Sequence, residues 1–210
     1  PPYEGSVLLI GCGRLGSAIV EGWLTHGPVD PRRLMIVSPS AKPVTERAVR
    51  AGGVINPAVA LIASARAVVL AVKPGKWRDA VERLADGLAA DAVVISVMAG
   101  VRAADIALAL GRPVARLMPT TAVAQGQGVA ALWSEDAEAE KIAKALFAPL
   151  ADVVELSAED QIDIATAVAG SGPAYVHAFS RAMAEAGVQA GLSPDDAVRL
   201  ARGAVRSAAA

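Results

Sequence analysis

Residues 7–16 read VLLIGCGRLG, an apolar run that stops in three closely spaced glycines and passes at once into a helical pattern. No other stretch constrains the fold as tightly. The spacing is G-x-G-x-x-G, with a strand before it and a helix, predicted over about Leu15–Thr25, after it. In that context each glycine has a separate task. Gly11 allows the tight turn out of the strand, Gly13 lets backbone approach a ligand, and Gly16 permits close helix–strand packing. Free N–H groups and positive potential at the helix N-terminus favour an anion such as a pyrophosphate. Cys12 reads as a small loop residue with no redox role. The alternative is a glycine-rich turn that binds nothing.

Short apolar runs and helical patterns go on alternating. Strands are predicted at Val7–Ile10, Leu34–Val37, Ala67–Val72, Ala92–Val97, Val114–Met118, Val129–Leu132 and Val153–Leu156. Between them lie helices at Val44–Arg50, Trp77–Leu88, Ala103–Leu110 and Ala137–Leu150. This alternation predicts a parallel sheet covered on both faces, and right-handed crossovers make it doubly wound. The texture changes near Ser157. Beyond it only helices are predicted, at Ala158–Ala169, Ala174–Ala190 and Pro194–Ala210, the last opened by a hydroxyl cap and carboxylates in Ser193-Pro194-Asp195-Asp196. The expected division is therefore an α/β dinucleotide-binding domain over 1–157 and a smaller all-helical domain over 158–210. The chain is 54% hydrophobic but only 3% aromatic, so its apolar side chains are mostly small. A short helical domain with so few large residues calls for a partner subunit to cover it.

A formal net charge of −1 gives no electrostatic footprint for nucleic acid or an anionic membrane. No run reads as a membrane span, and Pro1-Pro2-Tyr3-Glu4 does not read as a signal peptide. The single cysteine excludes an internal disulfide and a thiolate zinc site, and fits a cytoplasmic location. The lack of an initiating Met and the close in Ala208-Ala209-Ala210, inside a helical pattern, suggest part of a longer chain.

The strand ends supply the candidate site, because ligands of open α/β sheets sit beyond the carboxyl ends of the strands. The second strand runs into Ser38-Pro39-Ser40-Ala41-Lys42. It has no carboxylate to hold ribose hydroxyls, but two hydroxyls and a lysine to bind a 2′-phosphate, so NADP(H) is preferred over NAD(H). Ala71-Val72-Lys73-Pro74-Gly75 and Met98-Ala99-Gly100 offer small residues and backbone to a flat ring, and Lys73 reads as a surface lysine. Arg116-Leu117-Met118-Pro119-Thr120-Thr121 ends the fifth strand, and a hairpin-like return follows. In AVAGSGPAYVHAF (167–179), Gly170 and Gly172 break a helix, Pro173 starts the next and Ser171 caps or positions. A tight helix–helix corner is the plain alternative. His26 and His177 are the only histidines, and neither joins a Ser-His-Asp set or a metal cluster.

Five blocks in order, GCGRLGSAI, AVKPG, SVMAGV, RLMPTT with the following GQG, and AGSGPAYVHAF, resemble the pyrroline-5-carboxylate reductase family from about Ser6 to Ala210. The resemblance implies a Rossmann-type domain followed by a helical dimerisation domain, a homodimer or ring of dimers, and hydride transfer from NAD(P)H to pyrroline-5-carboxylate, giving proline. It implies that Gly11, Cys12, Gly13, Arg14, Leu15 and Gly16 hold the pyrophosphate. Ser38, Ser40 and Lys42 lie where the family contacts the adenosine ribose or its phosphate. Val72, Lys73, Pro74, Ala99 and Gly100 line the nicotinamide. Met118, Pro119, Thr120, Ser171, Gly172, Pro173 and Ala174 border the substrate. Two features depart from the family. Thr120 and Ala122 replace its usual Asn and Pro, and its proton-donating threonine loop would lie beyond Ala210. Two rivals stay open: a non-catalytic NADPH sensor, and a 3-hydroxyacid-type dehydrogenase, whose catalytic lysine has no counterpart after Lys144.

Overall fold

The computed structural model describes residues 2–82 and 84–209; Pro1, Arg83 and Ala210, which the expectations above include, lie outside them. The strands are β1 Ser6–Ile10, β2 Leu34–Val37, β3 Val54–Ile55, β4 Ala65–Leu70, β5 Val93–Ser96, β6 Val114–Pro119, β7 Gly128–Ser134 and β8 Ala151–Glu155. The helices are α1 Arg14–His26, α2 Pro43–Arg50, α3 Val59–Ile62, α4 Trp77–Glu82, α5 Ala103–Leu110, α6 Ala137–Phe147, α7 Gln161–Ala165, α8 Gly172–Gln189 and α9 Pro194–Ala208.

By packing, the chain forms two compact units, Pro1–Thr166 and Ala167–Ala210. The first is an eight-stranded sheet in the order β3-β2-β1-β4-β5-β6-β7-β8. The chain starts in the middle, steps outward one way through β2 and β3, then returns to the other side of β1 as β4. That reversal makes the doubly wound order and its switch point. Alternation along β1 splits its side chains between two interiors. Val7 and Leu9 join α1 and α6 on one face, and Leu8 and Ile10 join Trp77, Val81 and Ile106 on the other. Trp23 on α1 meets Phe147 on α6 edge to face at 6.1 Å, and its indole N–H donates to the Leu146 carbonyl at 3.0 Å.

Three local expectations are corrected, and two short elements are added. The sheet is not wholly parallel: β6 and β7 pair antiparallel, so the return after Met118-Pro119 is a true reversal, its turn closed at Gly126 with φ +67°. The helix predicted over Trp77–Leu88 does not run through to Leu88: α4 covers Trp77–Glu82, and Ala85–Gly87 is a separate 3₁₀ turn. The two-residue β3 and one-turn α3 are too short for a periodic signal. The helix predicted over Ala158–Ala169 is α7 followed by a π turn, Thr166–Gly170. By packing, α7 counts with the first unit, and its Ile162 is fully buried.

In the second unit α8 and α9 pack on one another through Ala184, Ala197 and Ala201. Gly187 lets them approach: a Cβ there would stand 3.3 Å from that of Ala197. Ser193 caps α9 as expected, its hydroxyl accepting from the Asp196 N–H at 3.2 Å and donating to the Asp196 carboxylate at 2.7 Å. Among the described residues no helix is long and apolar enough to cross a membrane.

Candidate active site

The three glycines of the first turn are held in the three conditions the motif requires. Gly11 has φ +96°, and a Cβ on it would lie 2.8 Å from the Ala71 backbone and from Val72 Cγ1. Its N–H donates to the Val37 carbonyl at 2.9 Å, which draws the turn across β2. A Cβ on Gly16 would press on the Gly11 carbonyl oxygen, so helix and turn touch only because residue 16 is glycine. Gly13 has open space where a side chain would be. It heads α1 without a side-chain cap, so the first N–H groups of that helix keep their donors free for a ligand.

This turn forms one wall of a crevice of about 610 Å³ at the carboxyl ends of β1, β2 and β4, the switch point of the sheet. Gly11, Cys12 and Gly13 line it with Ser38, Ser40 and Lys42 on one side, and Val72 and Lys73 on another. Arg14, Leu15, Gly16, Pro74, Ala99 and Gly100 do not line it directly. Leu15 and Gly16 lie within α1, Pro74 opens a 3₁₀ turn, and exposed Ala99 and Gly100 follow β5 on the same sheet edge. Gly100 has φ +67°.

Burial pushes the Cys12 thiol up in pKa, and its sulfur sits 3.5 Å from the Ser17 hydroxyl. That protonated, packed thiol accords with a small loop residue. Ser38 departs from its expected presentation. It is buried, and its hydroxyl donates to the Ser40 carbonyl at 2.9 Å, so it shapes the loop around Ser40 and Lys42.

Sequence reasoning passed over three residues here. Asn56, at φ +49°, accepts the Ser38 N–H on its side-chain oxygen at 2.9 Å and fixes the loop from behind. Asn tolerates that backbone region better than most residues, but a signal beside a two-residue strand is faint. Lys76 and Asp79 also line the crevice. Lys76 directly follows the quoted AVKPG block, and the helical register of Asp79 was the only other hint.

Met118, Pro119 and Thr120 stand at the carboxyl end of β6, on the same edge of the sheet. The Thr120 hydroxyl accepts from the Val129 N–H at 3.3 Å and keeps its own hydrogen to donate. In the second unit Ser171, Pro173 and Ala174 are exposed around the start of α8, and Gly172 has open space around it. Ser171 makes no side-chain cap, contrary to one of its two expected roles, because the preceding π turn brings the chain in helically at φ −91°, ψ −22°. A capping side chain instead needs extended backbone. His26 and His177 are both exposed, and among the described residues no cluster of three His, Cys, Asp or Glu could hold a metal.

A family model described as pyrroline-5-carboxylate reductase dimerisation matches residues 159–210, and one described as NADP oxidoreductase, coenzyme F420-dependent, matches residues 6–100. The pyrroline-5-carboxylate reductase of Pseudomonas aeruginosa is 33% identical over 204 residues, covering 92% of this chain and 73% of its own length. The solved reductase of Coxiella burnetii superposes with a TM-score of 0.88 at 30% identity, over 99% of this chain and 79% of that one. A Plasmodium falciparum pyrroline carboxylate reductase with NADP bound shares the fold at a TM-score of 0.85 and 23% identity, over 99% and 78% of the two chains. These relatives do not favour the dehydrogenase or the sensor. With a sheet built around a glycine turn, a helical unit matched to a dimerisation model and a third of its residues shared across most of a curated reductase, this chain belongs to the pyrroline-5-carboxylate reductase family of oxidoreductases.

Proposed function

We propose that this chain reduces pyrroline-5-carboxylate to L-proline with NADPH in preference to NADH, in the cytoplasm, as a homodimer or a ring of dimers. The observation that carries the reading is the crevice at the switch point, walled by the glycine turn of a chain that belongs to this family. A reduced nicotinamide dinucleotide, when bound, supplies the hydride. The chain's own residues bind and orient. Gly11, Cys12 and Gly13 bring backbone against the pyrophosphate, and Arg14, Leu15 and Gly16 open the helix whose N–H groups face it. Ser40 and Lys42 take the 2′-phosphate through charge-assisted hydrogen bonds, on a loop set by Ser38. Val72, Lys73, Pro74, Ala99 and Gly100 flank the ring. Met118, Pro119, Thr120 and Ser171-Gly172-Pro173-Ala174 border the substrate. A cyclic imine takes a hydride most readily once protonated, and solvent can protonate it. The residues around it therefore need to align two small molecules and exclude water more than to exchange protons.

Purified protein mixed with pyrroline-5-carboxylate and NADPH tests the reading by loss of the reduced-nicotinamide absorbance and appearance of proline. Lys42→Ala should raise KM for NADPH about tenfold and leave KM for NADH nearly unchanged, the cost of one hydrogen bond to a charged group. Equal losses with both cofactors would overturn the assignment of Lys42 to the phosphate.

A further inference from the structure

Among the described residues Arg116 is the only charged side chain that is buried, at 2% exposure. It sits within β6, in register with Ser96 on β5 and Trp133 on β7, where an apolar residue would carry no desolvation cost. As a stabilising ion pair it is poor. Its guanidinium lies 3.3 Å from a Glu159 carboxylate oxygen and 3.4 Å from an Asp163 oxygen, and its Nε has no partner. Breaking even against desolvation requires better geometry than that.

What the arrangement does is tie separate pieces of chain together. Glu159 also accepts the Ala103 N–H at the start of α5 at 2.6 Å, and lies 3.7 Å from Arg102. Glu159 lies two residues before α7, and Asp163 is inside it. From α7 the chain runs through the π turn directly into Ser171-Gly172-Pro173. On β6, Met118 follows Arg116 by two residues and therefore projects from the same face of the sheet. One guanidinium, through Glu159, thus joins the strand that carries Met118, Pro119 and Thr120 to α7 and to the start of α5.

We infer that Arg116 is a positioning residue for the reductase reaction: through Glu159 and Asp163 it holds the carboxyl end of β6, which carries Met118-Pro119-Thr120, against α7 and the start of α5. The inference rests on the function proposed above. Its test compares Arg116→Met with the double variant Arg116→Met/Glu159→Gln, which removes the guanidinium and its more buried partner and leaves only the exposed Asp163 carboxylate unpaired. Melting temperature should fall in the single variant and recover in the double one. In both, KM for pyrroline-5-carboxylate should rise about tenfold and kcat should fall, while the NADPH dissociation constant, read by fluorescence, stays within about twofold. A double variant with wild-type kinetics would overturn the inference, as would equal losses for substrate and NADPH. If the double variant does not fold, Arg116→Lys decides: it keeps the charge without the fork, so an unchanged substrate KM overturns the inference and an intermediate one supports it. Wild-type protein that fails to turn over pyrroline-5-carboxylate would overturn the reductase reading itself, an outcome distinct from the others.

Discussion

The chain has two phenylalanines. Phe147 is completely buried in the first unit, against Trp23, while Phe179 in the second is 64% exposed, with Tyr175 at 72% one turn before it on α8. The contrast extends beyond one pair. The first unit fills both faces of its sheet with Val, Leu and Ile, and its central strands have no wet side. The buried cluster of the second unit is three alanines, and Val168, Val176 and Leu200 stand outside it. A unit of the first kind stabilises itself. A unit of the second kind leaves apolar surface of the sort that marks an interaction site, and its match to a dimerisation model says what sort of interaction that is.

Three substitutions break or sharpen this contrast. Gly16→Val strikes inside the first unit, where any side chain meets the Gly11 carbonyl oxygen. NADPH affinity should fall at least about a hundredfold because the turn must open, while self-association through the second unit persists. Titration by fluorescence and sedimentation on the same sample check both halves, and retained affinity would mean the turn is not the cradle. Ile162→Ala comes next. It should cost about 2–5 kcal/mol, as a fully buried isoleucine does, and the cost should not depend on protein concentration. A concentration-dependent loss in denaturant titrations would return α7 to the second unit. Phe179→Ser should show the opposite pattern. We expect an intact fold of the first unit and self-association weakened by about 2 kcal/mol, seen as a dissociation midpoint shifted to higher concentration. An unchanged midpoint would place the contact elsewhere.

The sequence made one half of the site plain and left the other obscure. Gly11, Gly13 and Gly16 were legible because their task is local. A turn with φ +96° and a helix packed on it need those residues at that spacing, whatever surrounds them. Leu34–Val37 and Ala103–Leu110 were read to the residue because caps and periodicity act over one element. The turn of the Ser38 hydroxyl onto the Ser40 carbonyl was not legible, nor was the anchoring of the Ser38 N–H by Asn56, which arrives from a strand two residues long. Lys76 and Asp79 belong to the crevice only because β1 and β4 are neighbours, a pairing across more than fifty positions of chain.

From sequence alone came the order of the longer strands and helices, the dinucleotide turn at the end of β1, and the change to an all-helical end, because each is written in short-range pattern: period, breakers and caps. Only the folded molecule decided that β7 runs against β6, that α7 belongs with the sheet, and that Arg116 lies dry beside Glu159 and Asp163. Those outcomes depend on which distant segments share a face, and burial, unlike helical period, is a property that a residue acquires from neighbours far along the chain.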